Sequence, residues 1–191
     1  MRALRVRISL TDEMKEAAER ESRKREPHIK HHFDIEHYDS YSRNVVGFLG
    51  EFAGCVMLGI DWKTNIRPDY PTIDKLDARY LGKRLDFKTE TIPEPPFSRV
   101  IARSIDDDEP YGRRLYHIGQ ETLLEKYDLI VFGAIKRVDI SEMREWCAIG
   151  WIDAARIPAY PRGEIGPRGI HYPFPAFQVK TSDLKQMCYL L

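Results

Sequence analysis

The chain has 191 residues, long enough to bury a substantial core, and carries 30 Lys plus Arg against 30 Asp plus Glu, so net charge selects no class of partner. Its 42% apolar and 31% charged content fits an ordinary soluble globular protein. Three scattered cysteines, Cys55, Cys147 and Cys188, argue against a disulfide framework or a cysteine-rich zinc site. No segment has the form of a signal peptide or a bilayer span, which predicts a cytoplasmic protein with no membrane partner.

In chain order, "ALRVRISL" alternates like a strand, with Leu4, Val6 and Ile8 on one side and Arg5, Arg7 and Ser9 on the other. Thr11 then caps a helix over "DEMKEAAERESRKRE", whose first turn holds Asp12 and Glu13. "PHIKHHFDIEHYDSYS" reads as irregular, followed by a helix over residues 44 to about 58 and a loop rich in Pro and Asp from 61 to 72. Residues 76–90 read as a hairpin, which "TIPEPPF" breaks because prolines cannot continue a central strand. "SRVIARSIDDDEPYGRRLYHIG" predicts a further pair of short strands around an acidic loop, and "ETLLEKY" a short helix. "YDLIVFGAI" and "EWCAIGWID" predict adjacent core strands. The tail "AYPRGEIGPRGIHYPFPAF" is broken by Pro and Gly, and "TSDLKQMCYLL" ends as a short helix. One domain over 1–191 is expected: strand, helix and irregular segment over 1–43, then a core and closing segment over 44–191.

Glu51 stands alone as a carboxylate in the small, apolar run "NVVGFLGEFAGCVMLGI". Burying an ionised carboxylate is costly unless something pairs with it, so this residue is exposed, paired or working. In "LDARYLGKRLDFKTE" a turn at Gly82–Lys83 sets Ala78, Tyr80, Leu85 and Phe87 on one face and Asp77, Arg79, Asp86 and Lys88 on the other. Two readings of the charged face stand: a solvated face of mutually paired charges, or a divalent-metal site. Two hard oxygen donors at this separation suit Mg²⁺, and two aspartates with a lysine suit phosphodiester hydrolysis.

Asp77, eight intervening residues, then Asp86-Phe87-Lys88, behind a helix carrying Glu51, resembles the PD-(D/E)XK nuclease superfamily. "GFLGEFAG", the strand pair "YDLIVFGAI" and "CAIGWID", and "QVKTSDLKQM" extend the resemblance to small phage and bacterial members over roughly 44–90 and 120–191. Leu76, not proline, precedes Asp77, a departure from a pattern in which that proline is often absent. The resemblance implies an α/β restriction-endonuclease-like core, a mixed central β-sheet flanked by α-helices. It implies a Mg²⁺-dependent endodeoxyribonuclease, with Mn²⁺ able to substitute, encoded by a bacterium or phage. Asp77, Asp86, the Phe87 carbonyl and Glu51 would hold metal, Lys88 would orient water and stabilise developing charge, and nucleic acid, DNA before RNA, would be the partner, with a homodimer as one form of the enzyme. Gly47, Gly50 and Gly54 would let helix and hairpin approach closely.

Further candidates each carry a plainer reading. Gln120 is either an added site residue or a helix-start residue, and Asp128 a strand-end acid. Arg79, Arg113 and Arg114, with the basic stretch "SRKREPHIKHH", are candidate phosphate contacts or solvated surface. His28, His31 and His32 lack a cysteine cluster and read as loop rather than zinc site. Asp106, Asp107, Asp108 and Glu109 read as an exposed loop away from any nucleic-acid groove. Tyr111, Tyr116 and Trp151 read as core or rim. The alternatives in other classes are a non-catalytic nucleic-acid-binding or assembly protein, and an unrelated α/β domain with a charged hairpin.

Overall fold

A computed structural model describes residues 6–25, 40–68 and 77–191. The histidines of "HIKHH" and Leu76 lie outside the described residues. Strand β1 (Arg7–Ser9) leads into helix α1 (Asp12–Arg25), capped as expected by Thr11, whose Oγ1 accepts from the Met14 amide at 3.2 Å. Helix α2 (Ser40–Met57) begins four residues earlier than its apolar run, and a 3-10 turn follows at Trp62–Asn65. The hairpin is β2 (Ala78–Tyr80) and β3 (Lys83–Ile92), and the core strands are β5 (Leu129–Lys136) and β6 (Glu145–Asp153).

Between them the expected strand pair is instead helix α3 (Pro96–Ile101) and strand β4 (Arg113–His117). Pro96 at the helix start and Glu94, which accepts from the Ser98 amide and hydroxyl, initiate α3 despite the β-branched Val100 and Ile101. The Pro- and Gly-broken tail forms a hairpin, β7 (Arg162–Ile165) and β8 (His171–Lys180). The closing segment is not a helix of full turns but two 3-10 turns, Thr181–Asp183 and Met187–Tyr189.

The described strands form a mixed α/β fold. Five make one sheet in the order β1-β6-β5-β3-β2, parallel only between β3 and β5, and three make a second, β4-β8-β7. The large sheet separates two cores. Leu85 and Phe87 of β3 and Leu129, Val131 and Ile135 of β5 face α1 and α2. Ile92, Ile130, Phe132 and Ala134 face α3 and the small sheet. β5 is therefore buried on both sides, which is why it reads as an unbroken apolar run.

Trp146 and Trp151 share the first core although they differ in parity, because a bulge in β6 opposite Phe132 and Gly133 shifts its phase. A Cβ on Gly133 would lie 2.2 Å from the Trp146 indole, whose Nε1 donates to Thr89 Oγ1 at 3.0 Å.

α2 lies against β3 through small residues. A Cβ on Gly50 would sit 1.8 Å from Thr89 Oγ1, and one on Gly54 would sit 2.4 Å from the Phe87 ring. Gly47 plays no part in this approach, since a Cβ there meets nothing within 4 Å. The two positions therefore respond oppositely to alanine. Gly54→Ala overpacks the seam and costs on the order of 1–3 kcal/mol, whereas Gly47→Ala gains about 0.5–1 kcal/mol of helix stability. Urea denaturation of both variants checks the contrast, and equal effects would contradict the close approach.

Candidate functional site

The hairpin turn is Leu81–Gly82, with φ of 47° and 76°, rather than Gly82–Lys83. The pairs are Tyr80 with Lys83, Arg79 with Arg84 and Ala78 with Leu85. This differs from the expected register by two residues. Side chains repeat with period two, so the faces survive the shift: Leu85 and Phe87 remain in the core, while Asp86 and Lys88 leave from the other side. Extending the observed register by one residue sets Asp77 opposite Asp86 rather than Lys88.

The acids of the charged face are not solvated, although Arg79 is exposed. Asp77 and Asp86 are 8% and 3% exposed, and Glu51 is 7% exposed. Asp77 Oδ2 accepts from the Phe87 amide at 2.8 Å, taking the ladder position a longer β2 would occupy. A strand residue sends its N–H and C=O to the same edge, so the Phe87 carbonyl also faces the Asp77 side. Lys88 Nζ donates to Asp86 Oδ1 at 3.1 Å and lies 2.8 Å from Oδ2, at an angle unsuited to a hydrogen bond. The ammonium also stands 5.2 Å from the centre of the buried Tyr116 ring, which fixes its direction.

Glu51 belongs to the same electrostatic site. Burial raises its pKa first of all, and Asp86 raises it further, against Arg67, Arg25 and Lys88. Asp77 is raised well above the usual carboxylate range by burial, then by Glu51 and Asp86, against Lys88 and the Phe87 amide. Arg67 stands 4.0 Å from Glu51 Oε2, too far for a hydrogen bond. Among the described residues, Glu51 Oε2 and Asp86 Oδ2 are buried and accept no hydrogen bond. Among the same residues no three His, Cys, Asp or Glu side chains form a ready-made metal cage.

These shifts set the pH dependence of stability. A carboxyl with a raised folded pKa keeps its proton when the unfolded chain has lost it, so stability is greatest at low pH. It falls as pH rises from the ordinary carboxylate values, 3.8 for Asp77 and 4.5 for Glu51, through the raised folded values. Asp128 acts oppositely. Its side-chain and backbone bonds to Arg84 lower it to about 2, so its contribution is complete above the unfolded value and is lost only in strong acid. Without divalent cations, the melting temperature is expected to be higher at pH 5.5 than at pH 8. Asp77→Asn flattens that difference, and a profile unchanged by the substitution counts against the shared site.

The remaining candidates separate clearly. Arg79 is exposed at the hairpin, and Asp128 is the strand-end acid expected, bound to Arg84. Gln120 lies in the 3-10 segment Ile118–Lys126 and offers its backbone carbonyl to Tyr116 Oη at 3.3 Å. Arg113 and Arg114 correct the phosphate-contact expectation. Arg114 is fully buried on Glu90 and the Tyr111 carbonyl, and Arg113 is held by Asp108 and the Asp107 carbonyl. The acidic run is likewise structural rather than a free loop: Asp107 holds Ser182, Asp108 holds Arg113 and Glu109 holds Arg99. Burial, Glu51 and Asp77 push the Cys55 thiol up to about 12, so it brings no thiolate to the site.

Sequence reasoning missed Arg67, Arg25 and Tyr127. Burial raises the Tyr127 hydroxyl, with Asp86, Asp77 and Glu51 raising it further, so it feels the charge of all three acids. The chain matches no family model, no curated protein and no solved structure with which it was compared.

Proposed function

We propose that this protein is a Mg²⁺-dependent endodeoxyribonuclease with a restriction-endonuclease-like core of the PD-(D/E)XK kind. One observation carries the reading: acids from α2, the residue before β2 and β3 share a buried site, and among the described residues Glu51 Oε2 accepts no hydrogen bond while Asp86 Oδ2 faces only the Lys88 ammonium at 2.8 Å. Buried polar atoms are otherwise satisfied almost everywhere in proteins, so such oxygens fit a cation.

The donor set is all oxygen. Asp77 and Asp86, with the Phe87 carbonyl and Glu51, would hold the ion. Among the described residues no three such side chains form a closed cage; Mg²⁺ would need only part of its shell from them, since it keeps waters and takes phosphate oxygens. When bound, the ion supplies Lewis-acid polarisation of the phosphodiester and acidifies water.

The chain's own residues do the rest. Lys88, steered by Asp86 and the Tyr116 ring, donates hydrogen bonds to the attacking water or to the phosphate oxygens as charge grows there. Asp77 is held by the Phe87 amide, so its second oxygen keeps a fixed direction. Hydrolysis exchanges one P–O ester bond for a P–OH, with the proton of water passing to the leaving side.

Plasmid, single-stranded and branched DNA, incubated with Mg²⁺ or Mn²⁺ and with EDTA, test the reading. Cleavage that needs the cation and stops with EDTA is expected. A folded protein that binds DNA and cuts none of these substrates would instead support the non-catalytic nucleic-acid-binding alternative.

A further inference from the structure

The tip of the β2–β3 hairpin breaks two local rules at once. Leu81 holds a left-handed backbone, with φ of 47°, at the first turn position, where Asn, Asp or Gly avoids the Cβ clash. Its side chain is 79% exposed, so no burial offsets that conformation. A single exposed leucine is unremarkable by itself; one kept in a disfavoured conformation is a different matter.

Beside it, Arg79 stands directly opposite Arg84 across the strands, a like-charge pairing that destabilises a hairpin. Asp128 neutralises Arg84, yet Arg79 and Lys83 remain exposed and make no ion pair among the described residues. Three cations against one carboxylate leave a net charge of about +2 around an apolar point.

We propose that this tip is a wedge for duplex DNA: Leu81 enters between two base pairs while Arg79 and Lys83 hold the flanking phosphates. Leucine is among the side chains that unstack base steps in this way, and the repulsion between Arg79 and Arg84 is relieved by phosphate anions. The inference rests on the nuclease reading for its choice of partner and extends it to how the duplex is held. Four residue steps, through the three residues of β2, separate Asp77 from Leu81, about 13 Å at 3.3 Å each. That sets the wedge roughly four base steps from the acidic site at 3.4 Å per step.

The test uses the full chain in EDTA, so that no cleavage occurs, and a duplex of about 20 base pairs carrying 2-aminopurine as an unstacking reporter. Wild type raises the 2-aminopurine emission on binding. Leu81→Asn relaxes the turn and melts no lower than wild type, yet it abolishes the emission rise and binds roughly tenfold more weakly. Arg79→Ala retains the emission rise at saturation and reduces the salt dependence of affinity by about one unit of slope. Leu81→Asn that binds and unstacks like wild type overturns the wedge, even if wild type cleaves DNA with Mg²⁺. Tip-dependent unstacking by a protein that never cleaves overturns the nuclease reading and leaves the wedge standing.

Discussion

Asp86→Asn is expected to remove the proposed metal-dependent cleavage, by about 10²-fold or more, while the protein still melts within a few degrees of wild type. The substitution keeps shape and volume and leaves an oxygen to accept from Lys88 Nζ, now at 3.1 Å from Oδ1. It removes the charge that would attract a cation and leaves the cores on both sides of the sheet untouched. Cleavage rates and melting curves are measured on the same preparation, and a folded variant that cuts at the wild-type rate ends the assignment of Asp86.

Lys88→Met separates binding from chemistry in the same experiment. Lys88 occupies Asp86 in this structure, so its removal frees the carboxylate and cation binding holds or tightens. Cleavage is nevertheless lost, because no ammonium remains to meet the developing charge. Calorimetric titration with Mn²⁺ supplies the binding half of that comparison.

The hairpin was readable because its information is a parity. A turn misplaced by one residue at each strand end moves the register by two, and every side chain stays on its face. Glu51 was readable for a related reason: one carboxylate in an apolar helix demands an explanation wherever that helix lands.

The small sheet was not readable. Pro173 and Pro175 signal a break, and they do lie where β8 has no paired partner in β4, whose ladder covers only Ala176 to Lys180. A strand that tolerates prolines over half its length looks like a loop until its neighbours are known. Arg113 and Arg114 failed in the opposite sense. A dibasic pair looks available to phosphate, and nothing local reveals that Glu90 and Asp108 close over it. Arg67 and Tyr127 reach the acids only through tertiary folding, so no spacing in the chain announces them.

Glu51→Gln decides whether the buried acid of α2 is structural or functional. Among the described residues the cation nearest Glu51, Arg67, stands 4.0 Å away without a hydrogen bond, and Arg67 has interactions besides this one. Burial outweighs both arginines in the balance that raises the Glu51 pKa, so ionised Glu51 weakens the apo fold near neutral pH. The neutral amide therefore leaves the apo protein as stable or more stable, by roughly 2–4 °C of melting temperature for each kcal/mol recovered. If Mg²⁺ binds as proposed, wild type is expected to gain about 2.7 kcal/mol at a hundredfold excess over its dissociation constant, and the variant to gain less because one charge is missing. Four melting curves, each protein with and without Mg²⁺, show both effects together with a fall in cleavage. Were Glu51 instead the anionic half of a buried structural pair, the substitution would cost about 3–5 kcal/mol whether or not the ion is added. The 4.0 Å separation and the hydrogen-bond-free Oε2 both favour the first outcome, because a structural pair at this burial closes to hydrogen-bond distance and satisfies each oxygen.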